Sequence, residues 1–216
     1  KQWDSVMNYD AFMEPLTWFL TGMEKHSDDF RQDMIGNTGA FWGSMIYNAT
    51  AFSYPSAAVA MNELSNHDHS RFLTRTNHKV GRTNTLGPEA ADEDVNKAVM
   101  REAVVMQMTW PGAPTLYYGD EAGMEGFEDP FNRRPYPWGR EDEDLLAWFR
   151  LLGRLRKRPS LRRGDLTWLH AQGPLLAFRR QAEGETTAAA FNAGDAEAAL
   201  TLPWEGREAL DLLTGQ

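Results

Sequence analysis

Asn66-His67-Asp68-His69 follows the apolar stretch Met61 to Leu64 and puts two imidazoles on either side of a carboxylate. A carboxylate beside an imidazole can bind hydroxyls, hold charge or ligate a metal. The same residues also make an ordinary polar turn at the end of a strand. Zinc is poorly served, since the chain has no cysteine and no His-x-x-x-His spacing. Asp120-Glu121 is a pair of adjacent carboxylates, fit for acid and base work or for a plain loop. Asp129 with Arg133 and Arg134 reads as a structural ion pair or as a hydroxyl clamp, with structure favoured.

The elements that would position these groups alternate. Trp3 to Tyr9 reads as a strand and Glu14 to Met23 as a helix ending at Gly22. Asp28 to Tyr54 is mixed and broken at Tyr54-Pro55. Met61 to Ser65 reads as a buried strand and Arg71 to Pro88 as a long loop, a kind that in compact domains is often functional. Asp92-Glu93-Asp94 opens a helix that Trp110-Pro111-Gly112 ends, acidic residues suiting its positive end. Thr115 to Tyr118 is β-prone, and Gly123 to Arg140 is irregular. Leu145, Trp148, Phe149, Leu152 and Leu155 fall at helical spacing before Pro159. Strand and helix in alternation predict βα units with a parallel sheet, whose ligands gather at the strands' carboxyl ends. Beyond about residue 160 short apolar runs alternate with turn signals: Leu166–Leu169, Leu175–Arg179, Thr186–Phe191, Ala199–Leu202 and Leu210–Leu213. That pattern predicts a small antiparallel sheet. The expected division is 1–160 and 161–216.

Composition narrows the classes. The 216 residues carry 22 basic and 31 acidic side chains, a net charge of −9, which speaks against a nucleic-acid partner. The basic cluster Arg154 to Arg163 reads as the solvated end of a helix. No apolar run is long enough to span a bilayer, so no membrane partner is expected. Lack of cysteine accords with a cytoplasmic location. Aromatic residues reach 12 %, eight of them Trp. Trp168 and Trp204 could stack on sugar rings, although packing is the stronger expectation for each.

Several segments together carry a family resemblance. Leu64-Ser65-Asn66-His67-Asp68-His69-Ser70-Arg71-Phe72-Leu73-Thr74-Arg75 resembles the Asn/Ser-His-Asp region of glycoside hydrolase family 13, the α-amylase family. Gly112-Ala113-Pro114-Thr115-Leu116-Tyr117-Tyr118-Gly119-Asp120-Glu121 is similar to that family's eighth-strand segment. Asp129-Pro130, Arg133-Arg134-Pro135 and Pro137-Trp138 resemble the stretch after it. Trp3 to Tyr9 is similar to the sixth strand, and Leu151 to Pro159 to the end of the eighth helix. The nearest flavour is the neopullulanase, cyclomaltodextrinase and maltogenic amylase group, or an α-glucosidase close to it.

The resemblance implies the last three βα units of a (β/α)8 barrel, followed by an all-β C-terminal domain. It implies Asp68 as the carboxylate that stabilises the transition state, and His67, Asp129 and Arg133 as sugar-binding residues. Glu121 matches a structural acid. The implied partner is an α-glucan or maltooligosaccharide, and no cofactor is called for. Calcium accompanies many relatives, but no ligand cluster in this sequence demands it. The family's mechanism is retaining and needs a nucleophile and a general acid about 5–5.5 Å apart. The nucleophile's Gly-x-Arg-x-Asp segment and the acid Glu of the preceding family strands do not occur in this sequence. The expectation is therefore the C-terminal part of a longer glycosidase, inactive alone, that needs the rest of its barrel or another copy. A transglycosylase or a trehalose-forming isomerase would carry nearly the same motifs; a non-catalytic amylase-like scaffold is a further alternative, against which the retained Asp68 and His67 weigh.

Overall fold

The computed structural model describes residues 4–203, 206 and 208–215. Trp3 and Trp204, two of the tryptophans singled out in the sequence, lie outside the described residues.

Three chain segments run parallel and side by side. Met7 bridges Met61, and β1 (Met61–Glu63) pairs with β2 (Ala113–Thr115), Met61 opposite Ala113. The crossovers are helical: α1 (Glu14–Thr21), α2 (Thr38–Ala49) and α3 (Tyr54–Ala57) join the first segment to β1. Then α4 (Phe72–Arg75), α5 (Thr83–Leu86) and α6 (Lys97–Thr109) join β1 to β2. Parallel neighbours require such crossovers. On α6, the Gln107 amide donates to the carbonyls of Asn62 and Thr115 at 3.0 Å each, fixing that helix across both strands.

Several boundaries differ from the sequence reading. The expected first strand shrinks to the Met7 bridge, because the chain winds into a π-helical turn over Tyr9–Met13. The helix read from Asp92 begins only at Lys97. Asp94 sits at φ 57°, and the Asn96 side chain caps the amides of Ala98 and Val99. The expected strand Thr115 to Tyr118 starts two residues earlier, at Ala113–Thr115; Leu116 to Tyr118 leave the sheet. The long loop Arg71 to Pro88 contains the short helices α4 and α5, and Tyr54-Pro55 opens α3 instead of only breaking what precedes it, since proline is tolerated in a first turn.

Helix α7 (Glu143–Leu155) follows β2, capped by the Asp142 carboxylate on the Leu145 amide at 2.9 Å. Its Leu145, Phe149 and Leu152 are buried. After α8 (Pro159–Arg163), β3 (Asp165–Gln172), β4 (Leu175–Ala182) and β5 (Glu185–Asn192) form an antiparallel meander in chain order. The runs Ala199–Leu202 and Leu210–Leu213, read as further strands, are not strands. At the second, the Asp211 carboxylate instead ties a turn through the Leu213 amide and the Thr214 hydroxyl.

One apolar cluster joins both regions, with Phe12, Phe41 and Phe149 packed together with Leu176, Phe178 and Phe191. Trp168 packs edge-on to Trp42, with ring centroids 3.9 Å apart, and against Trp110 and Phe178. Not all of the basic cluster is solvated. The Arg156 guanidinium turns inward and donates to the carbonyls of Met108 and Trp110 at the end of α6, and to Gly112. Those carbonyls have no partner within the helix, so a cation there satisfies them and meets the negative end of the dipole.

Candidate functional site

Asn66 organises the carboxyl end of β1. Its side chain is buried and fully used. The amide donates to the Tyr9 hydroxyl at 2.9 Å and to Glu63 Oε1 at 3.1 Å. Its carbonyl oxygen accepts from the backbone amides of Asp68 at 2.9 Å and His69 at 3.1 Å. The chain is thereby bent so that His67 and Asp68 project outward, each with just over half of its side chain exposed. His67 Nε2 lies 3.3 Å from Asp68 Oδ1. The pair forms a ledge of one donor-capable ring and one acceptor carboxylate open to solvent, an arrangement that can grip vicinal hydroxyls.

Behind the ledge lies a buried ion pair. Arg71 and Asp120 are fully buried and paired at 3.0 Å. Arg71 also donates to the carbonyls of Asn132 at 3.0 Å and Tyr118 at 2.9 Å, and lies over the Tyr117 ring. Burial pushes the Asp120 carboxyl up to about 6, against the opposing pull of Arg71 and Ser65. Asp120 is thus a structural counter-charge. Glu121, its neighbour, accepts from the Gly119 amide at 2.9 Å.

His69 turns inward, edge-on to both Tyr9 and His26. Burial, with Arg75 nearby, lowers its pKa to about 3, so it is neutral at physiological pH. The two imidazoles of the motif therefore have different environments, His67 outside and His69 inside.

The loop after β2 braces the ledge through its backbone carbonyls. Asn132 is buried and donates to the carbonyls of Asn66 and His69. Arg133 donates from Nε to the His67 carbonyl at 3.1 Å and pairs with Asp129 at 3.0 Å. Asp129 and Arg133 are part-exposed, so the ion pair serves structure and still offers polar atoms to solvent. The structure thus brings Asp68, His67 and Arg133 together through backbone and side-chain bonds, with Asp129 held by Arg133.

Sequence reasoning passed over Tyr9, Glu63 and Asn132. Glu63 is buried, and its pKa is raised chiefly by that burial, countered by the Asn66 hydrogen bond. An acid inside Met61 to Ser65, the segment read as a buried strand, was the available signal. Asn132 carried none, since its partners are backbone carbonyls more than sixty positions away. Among the described residues, no three His, Asp or Glu side chains come together to hold a metal ion. None of their helices is long and apolar enough to cross a membrane.

Parallel strands crossed by helices, polar side chains at the strands' carboxyl ends and an antiparallel sheet on the same core define an α/β enzyme fold of the amylase type. The family profile described as alpha amylase, catalytic domain, matches residues 1–178, and the chain belongs to the α-amylase family. It is similar to neopullulanase 2 of Thermoactinomyces vulgaris, 34 % identical over all of this chain and 33 % of that protein. It is 42 % identical to the amylopullulanase of Thermoanaerobacter thermohydrosulfuricus over 60 % of this chain and 9 % of the relative. Among solved structures, the debranching enzyme of Nostoc punctiforme superposes with a TM-score of 0.74 at 28 % identity, covering 91 % of this chain and 38 % of its own. A cyclomaltodextrinase does so with a TM-score of 0.74 at 28 % identity, covering 97 % of this chain and 32 % of its own. The chain thus spans a third or less of the length of these two curated relatives.

Proposed function

We propose that the chain supplies the substrate-gripping part of a retaining glycosidase acting on the α-glucosidic bonds of maltodextrin-type glucans. The observation that carries this reading is the Asn66-built ledge, which presents His67 and Asp68 at the carboxyl end of a parallel strand and is braced by Asn132 and Arg133. In this reading Asp68 accepts hydroxyl hydrogen bonds from the sugar at the scissile bond, bonds that strengthen as the ring flattens toward an oxocarbenium ion. His67 binds hydroxyls of the same sugar. Asp129 and Arg133 contact the sugar on its non-reducing side.

The two carboxylates that open the bond belong elsewhere in this scheme. The parallel segments ending at Met7, Glu63 and Thr115 correspond to the sixth, seventh and eighth strands of a (β/α)8 barrel, with residues 161–216 as a C-terminal β domain. Three units leave a barrel unclosed, with sheet edges and apolar side chains open to solvent. Val6, Met61 and Leu116 are 45 %, 38 % and 48 % exposed, which supports a need for the rest of the barrel or for a second copy.

The test is a nuclear magnetic resonance titration of the chain with maltotriose. The reading expects saturable shifts at the His67 ring and the Asp68 amide that vanish in Asp68→Asn. Saturable binding that leaves those signals unmoved, or no binding, would overturn it.

A further inference from the structure

Beyond Arg133 the loop that follows β2 encloses a second cleft, of about 630 Å³, between the N-terminal ends of α6 and α7. That size falls in the range of about 300–1,000 Å³ common for small-ligand sites. Lys97 at the start of α6 and Asp142, the cap of α7, pair at 2.5 Å along one wall. None of the cleft's lining residues belongs to the ledge of His67, Asp68, Asp129 and Arg133.

The charges of the cleft balance. Lys97, Arg134 and Arg140 face Glu125, Glu141 and Asp142. Such a lining favours neither an anion nor a cation. It does offer several fixed donors and acceptors to a neutral polyhydroxy ligand. Glu125 is half-buried in the cleft wall near Arg134 and Lys97, and its carboxylate is an acceptor group.

An aromatic surface stands at the rim. Trp138 is 81 % exposed, so it contributes little packing to the fold. Its ring centroid lies 4.5 Å from that of Tyr136, which lines the cleft. The backbone around it is fixed by a tight turn, with Trp138 N–H on the Tyr136 carbonyl and Arg140 N–H on the Pro137 carbonyl, both at 2.9 Å. A solvent-facing indole beside polar groups presents a flat apolar face, the shape onto which the C–H face of a pyranose ring packs. Helices α6 and α7 start where the chain returns from the carboxyl ends of β1 and β2. The cleft therefore opens on the same side of the sheet as Asp68.

We propose that this cleft is a second carbohydrate site, which takes a linear maltooligosaccharide with one glucose ring on Trp138 and its hydroxyls on Glu125 and Arg140. The proposal rests on reading the chain as part of an α-glucan-acting enzyme. On that reading, the second site holds a long glucan on the side of the molecule that carries the ledge.

Calorimetric titration of the 216-residue chain with maltoheptaose, alongside Trp138→Ala and Asp68→Asn, tests it. Trp138 is too exposed for its removal to unfold the chain. The proposal expects affinity to fall by about tenfold or more in Trp138→Ala, with binding retained in Asp68→Asn. The Trp138 indole N–H resonance, identified by its loss in Trp138→Ala, should shift on titration. Binding abolished by Asp68→Asn and untouched by Trp138→Ala would overturn the second site and leave the function standing. Absence of binding to all three chains would overturn both.

Discussion

The Arg71–Asp120 pair makes the sharpest energetic prediction. Arg71 is fully buried and Asp120 is 4 % exposed, so solvent does not screen them. Arg71→Met leaves a carboxylate in the interior without its cation. Removing one partner of a buried pair costs about 3–5 kcal/mol. The substitution also strips donors from the Tyr118 and Asn132 carbonyls, about 1 kcal/mol each, not fully additive. A loss near 5 kcal/mol is therefore expected, against a total stability of about 5–15 kcal/mol for a typical domain. Urea denaturation followed by far-ultraviolet circular dichroism measures it. The double variant Arg71→Met/Asp120→Leu removes both charges and should recover a large part of the loss.

The pH dependence adds a second readout. The folded Asp120 carboxyl is raised to about 6 from 3.8. A raised carboxyl binds its proton more tightly in the folded state, so its contribution is complete below the unfolded value and is lost as pH rises through the folded one. Without Arg71 it rises further, and the gap between variant and wild type should widen as pH rises above about 6. A loss under about 1 kcal/mol, the size expected of an exposed pair, with no pH dependence, would refute the reasoning.

Asn66→Ala removes four hydrogen bonds and leaves Glu63 without its donor. A stability loss of about 2–4 kcal/mol and weaker maltotriose binding are expected, by denaturation and titration. His69 is neutral in the fold with its pKa near 3, against 6.5 unfolded. The unfolded chain therefore takes up the extra proton, and this site's stability is lost as pH falls from about 6.5 toward 3. His69→Phe keeps the ring packing and should narrow the drop in melting temperature between pH 8 and pH 5. Trp168→Ala opens a space among Trp42, Trp110 and Phe178 and should cost about 2–4 kcal/mol, with maltooligosaccharide affinity unchanged in calorimetry.

Legibility in the sequence followed the range of the interactions. Helices α1 and α7 were readable because their apolar spacing and end signals, Gly22 and Pro159, are local. So was the β3–β4–β5 meander, with a turn between each pair of strands. The Met7 bridge was not, because it depends on pairing with Met61 across three helices. The shortened β2 was missed for a similar reason. The Tyr118 carbonyl is held by Arg71, 47 positions away, and this draws Leu116 to Tyr118 out of the sheet. Within the site, Asp68 and His67 stood out as a contiguous motif, whereas the buried Asn132 that braces them is silent in sequence. Arg156 looked solvated because spacing shows a side chain's position on a helix but not the distant carbonyls it reaches.

The most direct test is release of reducing sugar from maltooligosaccharide by the purified chain and by Asp68→Asn. A ledge that grips sugar without a nucleophile and general acid predicts no release above buffer from either. Release by the wild type that disappears in Asp68→Asn would mean that this chain holds its own acid and nucleophile, with Glu63 and Asp129 the first to examine, and would contradict the account.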